Sequence, residues 1–343
     1  MASPKLLMMY FPILLSKAGE LTALSHLSQN VKDNTSPIIQ ILPRSLDRVE
    51  AHLLSNWAFE DNQILIDLSL FDFDRAAIRT FFTNLYDEDV NAIPVIQQNS
   101  DPRYLSLVQQ LVATHGCKVC VRASNSSGGF VNYNNAVRAL ITQVGVTPAN
   151  TILLLDLGYV HENNHNIVAS LAVNIIHAIP NIDQWADVVI ASSSFPDNLS
   201  ALVPPGRLFR LQRFEWDIWL SVQSDAAIAQ FVSYGDFGTK YPFFSEANFQ
   251  GSCSIKYTIE REFVIYRGEI SGNHPQGNGQ YIIFANRLIH TPDYSGNAFS
   301  WGDGQIDFYA HQVLTDPKRK TGNATSWVEI SQNHHITLVD DIL

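Results

Sequence analysis

The chain has 343 residues, 46% of them hydrophobic, and 22 Lys plus Arg against 33 Asp plus Glu give a formal net charge of −11. Spread along the chain, that charge argues against a broad nucleic-acid or anionic-membrane surface. Its three cysteines do not make a disulfide scaffold, so a reducing, cytoplasmic setting is the default.

Near the start, Lys5 and LLMMYFPILL resemble the charged and apolar parts of a secretory signal, but Pro12 interrupts the run and Lys17-Ala18-Gly19-Glu20 follows at once. We read it as the first strand, and no other run reaches the length of a membrane span. Apolar runs of strand length then recur at Ser36–Leu42, Gln63–Leu68, Ala92–Gln97, Lys118–Ala123, Thr151–Leu157, Asp187–Ser192 and Phe231–Gly235. The clearest is TILLLDLGYV from Thr151, apolar on both faces and closed by Asp156, the pattern of a parallel strand covered by helices. Between the runs lie helical segments such as 74–86, 102–115 and 167–178, one entered through Ser100-Asp101-Pro102. Strict alternation predicts a (β/α)8 barrel over residues 1–240; a doubly wound open sheet is the rival, but no switch point marks it. Beyond 241, SIKYTIEREFVIYRG, QYIIFANRLI, GQIDFYA and SWVEISQNHHITLV, separated by Gly, Asn and Pro, predict a mainly β addition over 241–343 packing near the barrel mouth.

Several motifs carry less than they promise. Cys117 and Cys120 form a lone CxxC at the start of a strand, without a second pair for zinc. His161-Glu162-Asn163-Asn164-His165 satisfies H-E-x-x-H, yet two Asn are poor helix formers, and the segment reads as a polar loop after the sixth strand. Ser192-Ser193-Ser194 lacks the nucleophile elbow, and Gly128-Gly129 is a weak phosphate cradle.

The opening YFPILLSKAGELTAL, RFEW at Arg213–Trp216, YGDFGTKYP at Tyr234–Pro242, YRG at Tyr266–Gly268, FSWGD at Phe299–Asp303 and NHHI at Asn333–Ile336 together resemble the Beta protein family. That family is named for a coliphage protein and is widespread in bacteria. The resemblance runs over nearly the whole chain and implies the barrel fold and a bacterial or phage setting, with phage and host conflict as the context. It implies no catalytic assignment. Phe237 and Tyr241 stand where the family more often has Tyr and His.

In a closed barrel the carboxyl ends of all strands meet at one mouth. Lys17, Glu20, Asp67, Asp156 and Asp236 are therefore the candidate catalytic groups, and Arg44, Gln97, Arg122 and Arg213 candidate ligand contacts. Tyr266, Arg267, Trp301, Asp303 and one of the pair His334 and His335 would complete the site from the C-terminal addition; adjacent residues of a strand face opposite ways. Arginine forks and lysines suit a phosphate-bearing, nucleotide-like ligand, and the carboxylates could take protons or hold a divalent cation. Two functions stay open: a hydrolase or phosphodiesterase-like enzyme, or a protein-interaction module whose mouth charges are structural.

Overall fold

The computed structural model describes residues 9–57, 62–124, 130, 132–245 and 251–343, so Gly128 and Gly129 fall outside the described residues. Eight parallel strands close into a barrel: β1 (Tyr10–Leu15), β2 (Ile38–Gln40), β3 (Gln63–Asp67), β4 (Asn91–Ile96), β5 (Val119–Ser124), β6 (Thr151–Tyr159), β7 (Asp187–Ser193) and, after β8 (Arg207–Gln212), β9 (Val232–Asp236). The eight apolar runs are these eight strands, because both faces of each are buried. Phe11, Ile13, Ile38, Leu65, Ile93, Cys120, Ile152, Leu154 and Val189 fill the interior, each contributing about 1.5–3 kcal/mol of burial if it is Val, Leu, Ile or Phe.

The barrel helices start and stop on local chemistry. In α4 (Arg75–Asp87) the Asp74 side chain accepts from the amides of Ala76 and Ala77, and Ile78, Phe81, Phe82 and Leu85 bury one face. In α5 (Pro102–His115) Asp101 caps the Arg103 amide, Pro102 opens the first turn, and Gly116 closes the helix at φ 66°. The remaining barrel helices are α3 (Leu46–Asn56), α6 (Tyr133–Val144), α7 (His165–His177) and α8 (Phe214–Gln223); α2 (Gln29–Asp33) precedes them.

The chain divides into two compact units: the barrel (1–16, 32–193 and 214–237), and a second unit of residues 17–31, 194–213 and 238–343. The second unit holds a three-stranded antiparallel sheet in the order β10 (Ser252–Thr258), β11 (Glu262–Ile270), β8, together with α1 (Ala18–Ser25), α9 (Gln280–Ile289), α10 (Trp301–Ala310) and α11 (Ala324–Ile342). Three of the four segments read as strands beyond 241 are therefore helices; only the first is a β-hairpin. Their aromatic and β-branched content favours strand, but the buried positions of α9, Tyr281, Ile282, Phe284, Ala285 and Leu288, follow the helical period. On one face of the sheet Ile255, Tyr257, Val264 and Tyr266 pack with the helices; on the other Phe263 and Ile265 pack with Phe195.

Candidate functional site

Strand phase decides which polar residues meet inside the barrel. Leu65, Val95, Cys120 and Leu154 point inward, and stepping by two carries that phase to Asp67, Gln97, Arg122 and Asp156. Arg122 Nη1 donates to Asp67 Oδ2 at 2.5 Å, while its Nε and Nη2 donate to Asp156 Oδ2 at 3.1 and 2.6 Å. The other oxygens are also occupied. Asp67 Oδ1 accepts from the Ser69 amide and Asp156 Oδ1 from the Gly158 amide, both at 2.9 Å, the two-residue turn bond typical of Asp. At Gly158 the backbone takes φ 72° and the pairing of β6 with β7 shifts register, which lets the chain fold back onto the carboxylate. Burial opposes the charge on Arg122, but Asp156 and Asp67 outweigh it and hold the guanidinium more firmly protonated than usual. Phe237 covers the guanidinium at 5.9 Å from its ring centroid.

Asp67 also lines a cavity of about 270 Å³ at the carboxyl ends of β3 and β4, bounded by Ser69, Phe71, Asp72, Phe73, Gln97, Asn99, Ser100, Asp101, Arg103 and Tyr104 among others. Gln97 is 7% exposed. Its backbone amide donates to Ser100 Oγ, but its side-chain amide has no hydrogen-bond partner among the described residues. Arg103 is tied to Asp101 at 2.6 Å and lies over the Phe73 ring. Sequence reasoning named Asp67 and Gln97 as site residues but not Ser69, Asn99, Ser100 or Tyr104, which follow the strand ends and carried no catalytic or binding motif, Ser100 being read only as part of a helix entry.

The structure brings Asp67, Arg122 and Asp156 together, and leaves Asp236 out. β9 pairs Phe11 with Gly235 and Pro12 with Asp236; Phe11 faces inward, so Asp236 faces the helices. There its carboxylate accepts from the hydroxyls of Tyr10 and Tyr234 at 2.7 and 3.1 Å, with Tyr234 packed on Trp216 and Trp219 of α8. A strand-end argument locates a residue along the axis, and one step of phase sends it to the opposite face. Arg44 is exposed on the loop after β2, at φ 61°.

The other candidates lie in the second unit. Lys17 precedes α1, and Glu20 is in its first turn. Arg213 is fully buried and donates to the carbonyls of Ile259 and Glu260. Tyr266 belongs to the sheet core, Arg267 donates to the Val203 carbonyl, and Trp301 stacks on His26 at 3.9 Å. His334 and His335 are on α11, not a strand, and both are fully buried, so the opposite-face argument does not apply. His334 Nε2 donates to the Thr258 carbonyl, and its Nδ1 meets Asp303 Oδ2, each at 2.8 Å. Asp303 also accepts from Tyr257 and Ser300 hydroxyls, and His335 Nδ1 meets Thr258 Oγ1. This network ties α10 and α11 to β10.

His161 and Glu162 sit in the loop after β6, and α7 begins only at His165, so the two histidines do not share a helix face. Among the described residues, no group of three or more His, Cys, Asp or Glu is placed to hold a metal ion, and no helix is long and apolar enough to cross a membrane.

Comparison with solved structures finds similar barrels at low identity. A putative fructose-1,6-bisphosphate aldolase from Coccidioides immitis is 11% identical over 67% of this chain and 73% of its own, with a TM-score of 0.37. The YdjI aldolase from Escherichia coli K12 is 9% identical over 97% and 91%, with a TM-score of 0.38. Protein beta of Enterobacteria phage P4 is 26% identical, covering 95% of this chain and 91% of the phage protein. The profile of the Beta protein family matches residues 10–340. With that match spanning both units, the chain belongs to the Beta protein family.

Proposed function

We propose that the barrel binds a small polar ligand, neutral or cationic and of nucleobase or sugar size, in the cavity at the carboxyl ends of β3 and β4. The observation that carries this reading is Gln97. Its side-chain amide borders the cavity and is hydrogen-bonded to none of the described residues, so a ligand offering both a donor and an acceptor would find both of its atoms there, at roughly 0.5–1.5 kcal/mol per hydrogen bond. Phe71 and Phe73 offer apolar surface, and Ser69, Asn99 and Ser100 further hydrogen bonds. Size limits the ligand: about 270 Å³ is below the ~300–1,000 Å³ of drug-sized sites.

The charges select against the phosphate expected from the sequence. Asp67, Asp72 and Asp101 line the cavity against Arg103, which is already paired, and Arg122 is held by two carboxylates. The nucleotide-like expectation is thus kept as its base or sugar, without the phosphate. Binding is favoured over catalysis because both oxygens of Asp67 and of Asp156 are engaged by Arg122 and by backbone amides.

Thermal-shift measurements over nucleobases, nucleosides and simple sugars, repeated on Gln97→Leu, test this. The expected result is a ligand that raises the melting temperature of the parent protein but not of Gln97→Leu, which itself melts close to the parent. A Gln97→Leu protein that melts lower, with ligand responses unchanged, would overturn the reading.

A further inference from the structure

The charges around the barrel cavity do not balance. Asp67, Arg122 and Asp156 are 1%, 7% and 3% exposed, and together they set two carboxylates against one guanidinium, a formal charge of −1 inside the barrel. On the cavity wall Asp101 and Arg103 offset each other at 2.6 Å. Asp72, exposed where it lines the cavity, has no hydrogen bond or ion pair among the described residues. The helix ends that could turn this field positive are already capped. Asp74 accepts from the amides of Ala76 and Ala77 at the start of α4, and Asp101 from the Arg103 amide at the start of α5.

The negative field reaches across the cavity. Tyr104, buried in its wall, donates to the Val95 carbonyl; burial first and the Asp67 charge second push its hydroxyl well above the usual phenol range. Gln97 makes this more than an acidic wall. It is 7% exposed, and its side-chain amide borders the cavity without a hydrogen-bond partner among the described residues.

We propose that the ligand of this cavity is a compact organic cation, an ammonium or amidinium group on a ring- or sugar-sized body, its charge facing Asp67 and Asp72 and its neutral part meeting Gln97 and Phe71. The inference rests on the cavity being a binding site and adds the sign of what it binds. A carboxylate has about four lone-pair sites. Asp67 uses two of them, for Arg122 and the Ser69 amide, and Asp72 uses none, so both still accept N–H donors. A negative charge walled off from water attracts a cation more strongly than an exposed one does. The Arg103 guanidinium already lies over the Phe73 ring, 4.5 Å from its centroid, the kind of contact that a ligand cation would make with Phe71.

The test uses the full-length protein and three planar probes of one shape and different charge: benzamidine, benzamide and benzoate. Glucosamine and glucose repeat the comparison on a sugar body. Calorimetric titration at neutral pH and matched ionic strength should give saturable binding that weakens by about tenfold or more from each cation to its neutral counterpart, and again to the anion. Asp72→Asn should lower the preference for the cation by about three- to fivefold, as for an exposed charge. Asp156→Asn, which leaves the buried group neutral, should lower it by about tenfold or more. Glu88→Gln, at the far end of α4, should leave it unchanged. Should Asp156→Asn not fold, the order of the probes on the parent protein decides alone. A neutral probe that saturates as tightly as its cation, or a preference that survives in both aspartate variants, would overturn the cation while keeping the cavity as a binding site. No saturable heat with any probe, or binding unaltered in Gln97→Leu, would overturn both.

Discussion

Arg122 shows how far a charged residue can be committed to architecture. It is 7% exposed and divides its fork between Asp67 and Asp156. Removing one partner of a buried ion pair strands the other, a loss of about 3–5 kcal/mol. Arg122→Met strands two carboxylates, so we expect at least that loss in urea unfolding, whereas Asp236→Asn, on the other face of the sheet, leaves the Arg122 pairs intact. A change of under 1 kcal/mol in Arg122→Met would mean that the carboxylates relax into solvent, which their burial argues against. Asp187 gives a pH signature. Burial raises its carboxyl to about 7 from the ordinary 3.8, more than the hydrogen bond from Ser233 lowers it. The folded protein therefore retains a proton that the unfolded chain releases. Stability from this group is present below pH 4 and is lost as pH rises through 7. Asp187→Asn should flatten that part of the stability curve and exceed the parent at pH 8 by on the order of 2 kcal/mol; parallel curves for parent and variant across pH 4–8 would contradict it.

At the scale of elements, Gly268 fixes how α9 lies on the sheet. A Cβ there would sit 2.7 Å from the Cys253 carbonyl and 2.5 Å from Gln280 Oε1, the acceptor for the Glu269 amide. Gly268→Ala should cost roughly 1–3 kcal/mol and disturb the Gln280 bond, which amide exchange at Glu269 would register. The same element shows what a sequence can and cannot reveal. Barrel strands were legible because burial on both faces writes an apolar run, and eight such runs alternate with helical segments. The helices of the second unit were not. On α11 the buried positions include Ser331, Gln332, Asn333, His334 and His335; Asn333, His334 and His335 find partners on other segments of the unit, Gly302, Ala23, Asp303 and Thr258, so the buried face carries no apolar period. Within the site, Asp67, Arg122 and Asp156 were legible as charges ending buried strands. The misplacement of Asp236 was invisible because it turns on phase at the strand's last residue.

For the whole molecule, the division into units matters more than the expected boundary at 240. Residues 17–31 and 194–213 belong with 238–343, and they bring Leu21, Leu24 and Phe195 into buried positions. A fragment of residues 1–240 keeps every barrel strand but deprives β8 of β11, its antiparallel partner. We expect it to expose 194–213 to proteolysis and to lose cooperative thermal unfolding; a fragment that melts in one sharp transition and resists cleavage there would show that the barrel tolerates these segments unpaired.

The chain leaves the barrel three times, after β1, β7 and β9, and those strands are neighbours in the closed sheet. Seen from the ribosome, this imposes a wait. β8 emerges roughly 130 residues before the C-terminus, and at about 5–20 residues per second the delay from its emergence to completion of α11 is roughly 7–26 s. For roughly the first 3–12 s, until β11 is complete, β8 lacks its pairing partner, and throughout the interval α1 lacks its packing partner α11. Such surfaces are what holding chaperones bind, so yield on expression should track translation speed over the last hundred residues more closely than it tracks the stability of the finished barrel.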